Sequence, residues 1–354
     1  MKRLLPAWVG APRLDPILLL LLLLIIGFGL IVLYSASGQD MAVVNRQAIR
    51  LGFGLVVMLV ISQVPPRVLR AWTPWLYGIG VAMLLATLVL GVGRSTQRWL
   101  DFGVLRFQPS ELMKLAVPMM VAWYLHSRVL PPGWKSTSVI FGILLIPTLL
   151  IYRQPDLGTA LLVAASGMFT LYLAGLRWRV LFGLAGLATA AAPLLWLVMK
   201  EYQRDRVRTF LNPEADPLGH GWNIIQSKIA VGSGGLTGKG WMNGTQSNLE
   251  FIPERHTDFI LAVLSEEFVL MGVALLMLTY LLVIARGLYI ASVARDTGSR
   301  LLAGALSLTL FVYVLVNGGM VSGVLPVVGV PLPLISYGGT SAVTLLAAVS
   351  YTHL

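Results

Sequence analysis

Asp258 lies in Phe251-Ile252-Pro253-Glu254-Arg255-His256-Thr257-Asp258-Phe259-Ile260, where a hydrophilic stretch gives way to an apolar one. A carboxylate at such a border is hydrated enough to ionise and desolvated enough to act as a base. The plainer alternative is that Thr257 or Asp258 caps the helix that follows. Glu266 and Glu267 come next. Eight residues of helix put Glu266 about 12 Å deeper, beyond the roughly 6.5–9.5 Å between the two carboxyls of an inverting glycosidase. We therefore read these glutamates as packing or proton-linked groups. His256 has no second histidine at metal-ligand spacing, which argues against zinc.

Cations form a second set. Arg94, Arg98 and Arg106 fall within fourteen residues around Trp99. Fixed guanidinium groups at a membrane edge suit a diphosphate headgroup, and ordinary phospholipid anchoring with Trp99 is the alternative. Gln108-Pro109-Ser110-Glu111 followed by Lys114 puts a carboxylate and an ammonium at i, i+3 on one helix face, with Ser110 as the expected cap. That pair is either a self-neutralising packing device or part of a site. Arg153-Gln154-Pro155-Asp156-Leu157-Gly158 is another helix start, and there Asp156 is expected to cap. The run Gly232 to Gly240 fails as a phosphate loop: Ser233 stands at the required first glycine and Gly240 at the required Ser or Thr. A flexible turn is the expected reading.

The elements that must position these groups follow from composition. Of 354 residues, 57% are hydrophobic and 12% charged, which excludes disorder and a soluble enzyme. Charge-free runs extend over Pro16–Gln39, Leu51–Pro66, Ala71–Gly93, Leu115–Ser127, Ser136–Tyr152, Leu157–Leu176, Val180–Met199 and Phe268–Ala285. A further uncharged stretch from Leu301 onward must fold back near Gly323, Pro326, Gly329, Pro331 and Pro333. This predicts an all-α polytopic membrane protein of about ten transmembrane helices forming one integral membrane domain over residues 1–354. The fourth and eighth helices take in Glu111–Lys114 and Glu266–Glu267. The first apolar run is too long for a signal peptide.

With the N-terminus inside, Lys2, Arg3, Arg13, Arg67, Arg70, Arg128, Lys135, Arg177, Arg179, Arg286, Arg295 and Arg300 face the cytoplasm, whereas Arg46, Arg50, Arg94, Arg98, Arg106 and Arg153 lie outside. The excess inside favours an N-in, C-in topology, with one long extracellular loop at residues 200–257 between helices 7 and 8. There is no cysteine, so no disulfide framework. No repeat of 20–50 residues is evident.

The ordered motifs carry a resemblance across nearly the whole chain. They are Arg98-Trp99 with Phe107-Gln108-Pro109-Ser110-Glu111 and Lys114; Gln154-Pro155-Asp156-Leu157-Gly158-Thr159-Ala160; and Arg206-Val207-Arg208 leading to Phe210-Leu211-Asn212-Pro213. Gln226-Ser227-Lys228-Ile229-Ala230, the Pro253–Ile260 segment, Glu266-Glu267 and Gly329-Val330-Pro331-Leu332-Pro333-Leu334-Ile335-Ser336-Tyr337-Gly338-Gly339 complete them. The chain resembles the SEDS (shape, elongation, division and sporulation) family, its RodA branch more than its FtsW branch. Val269 stands where that pattern has glycine, which bears on local helix packing.

The resemblance implies a peptidoglycan glycosyltransferase in the bacterial cytoplasmic (inner) membrane. Such an enzyme polymerises lipid II into nascent glycan at the outer face and works with a class B penicillin-binding protein, a transpeptidase. Asp258 is then the candidate catalytic base. Arg98, Arg106, Lys114, Arg153, Arg206 and Arg208 are candidate diphosphate contacts, and Trp99, Gln108, Glu111, Asp156, Lys239 and His256 are further substrate-binding candidates. A divalent cation, Mg or Mn, is the candidate cofactor, with no organic cofactor expected. Membrane lipids are partners and nucleic acid is not. Two rivals use the same residues: a flippase for the same lipid-linked precursor, and a scaffold that only activates the penicillin-binding protein. A flippase needs no outer-face base, so Asp258 discriminates.

Overall fold

The computed structural model describes residues 14–352, apart from 93–97, 102, 104–105, 200, 218–220, 236–237, 250 and 253. Lys2, Arg3, Arg13, Arg94 and Lys200 fall outside the described residues, as do the side chains of Arg106 and Val269. The helices are α1 (Pro16–Ala36), α2 (Met41–Ile61), α3 (Pro66–Leu90), α4 (Pro109–His126), α5 (Trp134–Arg153), α6 (Leu157–Leu173) and α7 (Trp178–Val198). They continue with α8 (Glu201–Leu211), α9 (Trp222–Ser233), α10 (Thr245–Asn248), α11 (Ile260–Val293), α12 (Thr297–Val321) and α13 (Thr340–Thr352). A minimal antiparallel hairpin, β1 (Leu100–Asp101) with β2 (Arg106–Phe107), stands between α3 and α4.

Helices α1 to α7 and α11 to α13 correspond one to one with the ten expected crossings. Among the described residues, α1, α2, α3, α5, α12 and the Leu270–Val293 part of α11 are long and apolar enough to span a membrane. Their outer faces are frankly apolar, with Val89 82% and Met271 80% exposed, surface that only lipid covers without cost. Two large cores hold most of the bundle. One joins α1, α2, α11, α12 and α13 around Leu22, Leu33, Phe259, Tyr280 and Leu346. The other joins α3 to α6 around Leu84, Met113, Val117, Ile140 and Val163.

Helix starts are set locally. Asp15, Asp40, Asp156 and Asp296 each accept a backbone N–H in the first turn of α1, α2, α6 and α12. Three expectations are corrected. Helix α2 begins at Met41, ten residues before its charge-free run, so Arg46 and Arg50 are helical; a guanidinium with a partner is tolerated in a helix, and Arg50 lies 4.7 Å from the Tyr337 ring centre. Ser110 is not a cap: Gln108 holds that position and Pro109 opens α4. The 200–257 segment is not a plain loop: it carries the short helices α8, α9 and α10.

The bundle has two polar ends. At one, Arg286 binds Asp15 at 2.6 Å, and Arg70 binds both Asp296, at 2.9 Å, and His126. At the other, Ser35 donates to Glu267. The nineteen residues from Glu267 to Arg286 correspond to about 28 Å of helix, close to the thickness of a bilayer's hydrocarbon core.

Candidate functional site

The end of the bundle that carries Ser35 and Glu267 also gathers most of the predicted site residues. Asp156 caps α6 through Thr159 N at 3.2 Å and lies 3.4 Å from both Arg98 Nη1 and Gln108 Nε2. Arg98 further donates to the carbonyls of Pro155, at 2.5 Å, and Gln154, at 3.4 Å. A guanidinium with three protein acceptors is a fixed charge, and about a quarter of its side chain is exposed to meet an anion. Trp99 stands beside it, bridged through its backbone to Val92. Arg106 pairs through its backbone with Asp101.

Glu111 and Lys114 form the predicted pair at 2.6 Å, both buried. The ammonium also lies 5.1 Å from the Tyr313 ring centre. The pair opens onto a pocket between α1, α4, α11, α12 and α13. The rest of its lining is largely apolar, from Pro331 and Pro333 near the site to Leu18 and Gly287 toward the far end.

Asp258 belongs to no cap. Phe259 occupies that position in α11 without a side-chain bond, and Thr257 Oγ1 is directed at Glu254 Oε2, at 2.7 Å. Burial, and then the neighbouring charge of Glu254, push the Asp258 carboxyl up from 3.8 to about 6. Its Oδ2 faces Gly329, whose φ of +69° suits glycine.

The segment from Val328 to Pro333 connects these groups. A Cβ on Gly158 would come within 2.6 Å of the Val328 carbonyl, so only glycine permits this approach beside the Asp156 cap. Gly329 meets Asp258, Asn317 holds the Val330 carbonyl at 2.7 Å, and Pro331 and Pro333 line the Glu111–Lys114 cavity. Farther on, Tyr337 N donates to His256 O at 2.8 Å and its ring meets the His256 ring edge-on. Gln47 bonds Ser336 O and Gly338 N.

Other predicted residues make separate contacts. Arg208 binds Glu201 and Asp205 along α8, and Arg206 and Arg153 are exposed. Lys239 is committed to the buried Glu266 carboxylate at 2.7 Å, with Thr245 Oγ1 and Ser233 Oγ also in reach. Backbone N–H groups of Lys239 and Gly240 donate to the carbonyls of Glu266 and Glu267. The glycine run is therefore docked on α11, not left as a free turn. Sequence reasoning missed Asn317, Tyr313 and the Arg50–Tyr337 contact. Asn317 carried a signal, being the one amide in the uncharged stretch from Leu301 onward.

A helical bundle crossing a membrane many times, with fixed cations, a raised carboxylate and an apolar pocket at one end, defines a class: polytopic membrane proteins with a charged site at one end of the bundle. The profile of the cell cycle proteins FtsW, RodA and SpoVE matches residues 16–351. Peptidoglycan glycosyltransferase MrdB of Escherichia coli (strain K12) is 54% identical over 95% of this chain and 91% of its own. Stage V sporulation protein E of Bacillus subtilis (strain 168) is 35% identical over 95% of this chain and 94% of its own. Among solved structures, one from work on structural coordination of polymerization and crosslinking by a peptidoglycan synthase complex has a TM-score of 0.84 at 32% identity, covering 96% of both chains. Rod shape determining protein RodA of Thermus thermophilus has a TM-score of 0.73 at 28% identity, covering 98% of both. The chain belongs to the FtsW/RodA/SpoVE family.

Proposed function

We propose that this chain is a peptidoglycan glycosyltransferase that polymerises lipid II, with Asp258 as general base at the outer face of the bacterial inner membrane. The kinship with MrdB supports the reaction class. The observation that carries the assignment within the site is the setting of Asp258: a carboxylate raised to about 6 is ionised at neutral pH, yet is a stronger base than an ordinary aspartate. The acceptor sugar hydroxyl gives its proton to Asp258 as its oxygen bonds to the donor's anomeric carbon. The bond from that carbon to the diphosphate breaks, and undecaprenyl diphosphate leaves with the electron pair.

Arg98, held by Asp156 and two carbonyls, and Lys114, held by Glu111, supply positive charge for the leaving diphosphate. The apolar cavity below Lys114 suits a polyprenyl chain. A divalent cation bound beside the diphosphate would add to this neutralisation; among the described residues no group of three acidic or histidine side chains is gathered to hold one. The outward orientation of this end follows from the excess of cytoplasmic Lys and Arg. A class B penicillin-binding protein as partner accords with the synthase complex among the structural relatives.

The test is purified full-length chain with lipid II, scored for glycan strands in the absence of any other glycosyltransferase. Wild type should polymerise, and Asp258→Asn should lose about 10²-fold or more while still binding lipid II. A flippase or a scaffold would make no strands at all. Equal turnover by Asp258→Asn would remove it as the base.

A further inference from the structure

Three consecutive carbonyls, those of His256, Thr257 and Asp258, precede α11 and cannot all be used by its helix. Ala262 N, the natural i+4 donor for Asp258 O, binds Phe259 O instead. Each carbonyl is taken up from the C-terminal part of the chain. Tyr337 N holds His256 O at 2.8 Å, Ser336 Oγ holds Thr257 O at 2.6 Å, and Asn317 Nδ2 holds Asp258 O at 3.0 Å.

Asn317 differs from the other two donors because it does two things at once. Its second N–H binds Val330 O at 2.7 Å, one residue past the glycine that faces Asp258 Oδ2. Both amide hydrogens are spent, so the orientation of the side chain is fixed. The residue is fully buried, and among the described residues its Oδ1 finds no partner. An apolar residue of the same shape would leave both of those carbonyls without this donor.

We propose that Asn317 is a positioning residue for Asp258: one amide sets both the backbone that carries the carboxylate and the wall against which it rests. This rests on the reading of Asp258 as the base. Removing the amide frees the carbonyls of Asp258 and Val330 and lets the 256–258 backbone and the 328–333 segment move independently. A shift of about 1 Å in a reacting group typically costs on the order of 10²-fold in rate. Lipid II recognition through Arg98 and Lys114 is left in place.

The experiment measures lipid II polymerisation by the full-length chain in bilayer nanodiscs for wild type, Asn317→Leu, Asp258→Asn and the double variant. Asn317→Leu keeps the volume and loses both donors. Its kcat should fall by about 10- to 100-fold with KM for lipid II little changed. Because Asn317 acts through Asp258, the double variant should be no slower than Asp258→Asn alone. A fall in KM-dependent use with kcat intact, or losses that multiply in the double variant, would overturn the proposal and leave Asp258 as the base. Full activity of Asp258→Asn would overturn both. Should Asn317→Leu fail to fold, Asn317→Ser carries the same comparison, and failure of both to fold would show a purely structural residue.

Discussion

Replacing Asp258 by Asn should make the protein more stable while it destroys activity. In the folded chain the carboxyl holds its proton up to about pH 6, whereas an unperturbed aspartate loses it near 3.8. The interval is worth about 3 kcal/mol at about 1.4 kcal/mol per pH unit, and residual solvent contact makes that a ceiling. Well below pH 3.8 both states are protonated and the variant should match wild type. As the pH rises toward 6 the unfolded chain releases its proton first, so wild type loses stability relative to the variant, and the gap is complete above about 6. Asn stays neutral throughout and keeps the shape of the protonated acid. The assay is thermal unfolding in detergent at a series of pH values from 4 to 8, beside glycan synthesis on the same preparations. The variant should unfold several degrees above wild type at pH 8 and by a much smaller margin at pH 4. Equal or lower stability at pH 8 would mean that the carboxylate is not desolvated, and the argument for its basicity would fall with it.

Glu111 and Lys114 form a buried pair, so a single replacement strands a charge and should cost on the order of 3–5 kcal/mol, whereas Glu111→Gln with Lys114→Met should be much milder; additive losses in a thermal-shift cycle would count against pairing. Arg98→Ala should weaken lipid II use far more than stability, and Arg98→Lys should restore it only in part because the planar fork is lost; unchanged polymerisation would take this residue out of the site. Lys239→Met leaves the Glu266 carboxylate buried without its cation and should expose the 232–245 segment to protease, while Glu266→Gln, which keeps an acceptor, should do so less; equal digestion of wild type and Lys239→Met would show that the ion pair does not hold this segment.

Each membrane helix was legible in the sequence because each carries its own solvation requirement. A run of apolar residues must be helical in lipid, where only a helix satisfies its own backbone, and no distant residue is needed to decide it. The Glu111–Lys114 contact was legible for the same reason, since i, i+3 spacing fixes it within one turn. Helix limits were less so: Arg50 marks where a charge-free run begins but not where its helix begins, and Tyr337, nearly three hundred residues away, receives the Arg50 charge.

The arrangement of the site was settled by packing. Arg98 meets Asp156 because the hairpin after α3 is set against the start of α6. Arg208 has the same chemistry and spends it on Glu201 and Asp205 of its own exposed helix. The glycine run looks free in sequence and is anchored only because α11 presents Glu266 to Lys239. Asp258 read as a cap or a base until the 328–333 segment closed beside it and withdrew water from its carboxyl. A short-range pattern determines which backbone forms, since its hydrogen bonds are local. Which charge is paired, buried or left for a ligand depends on groups far apart in the chain, and only the packed bundle brings these within a few ångströms of one another.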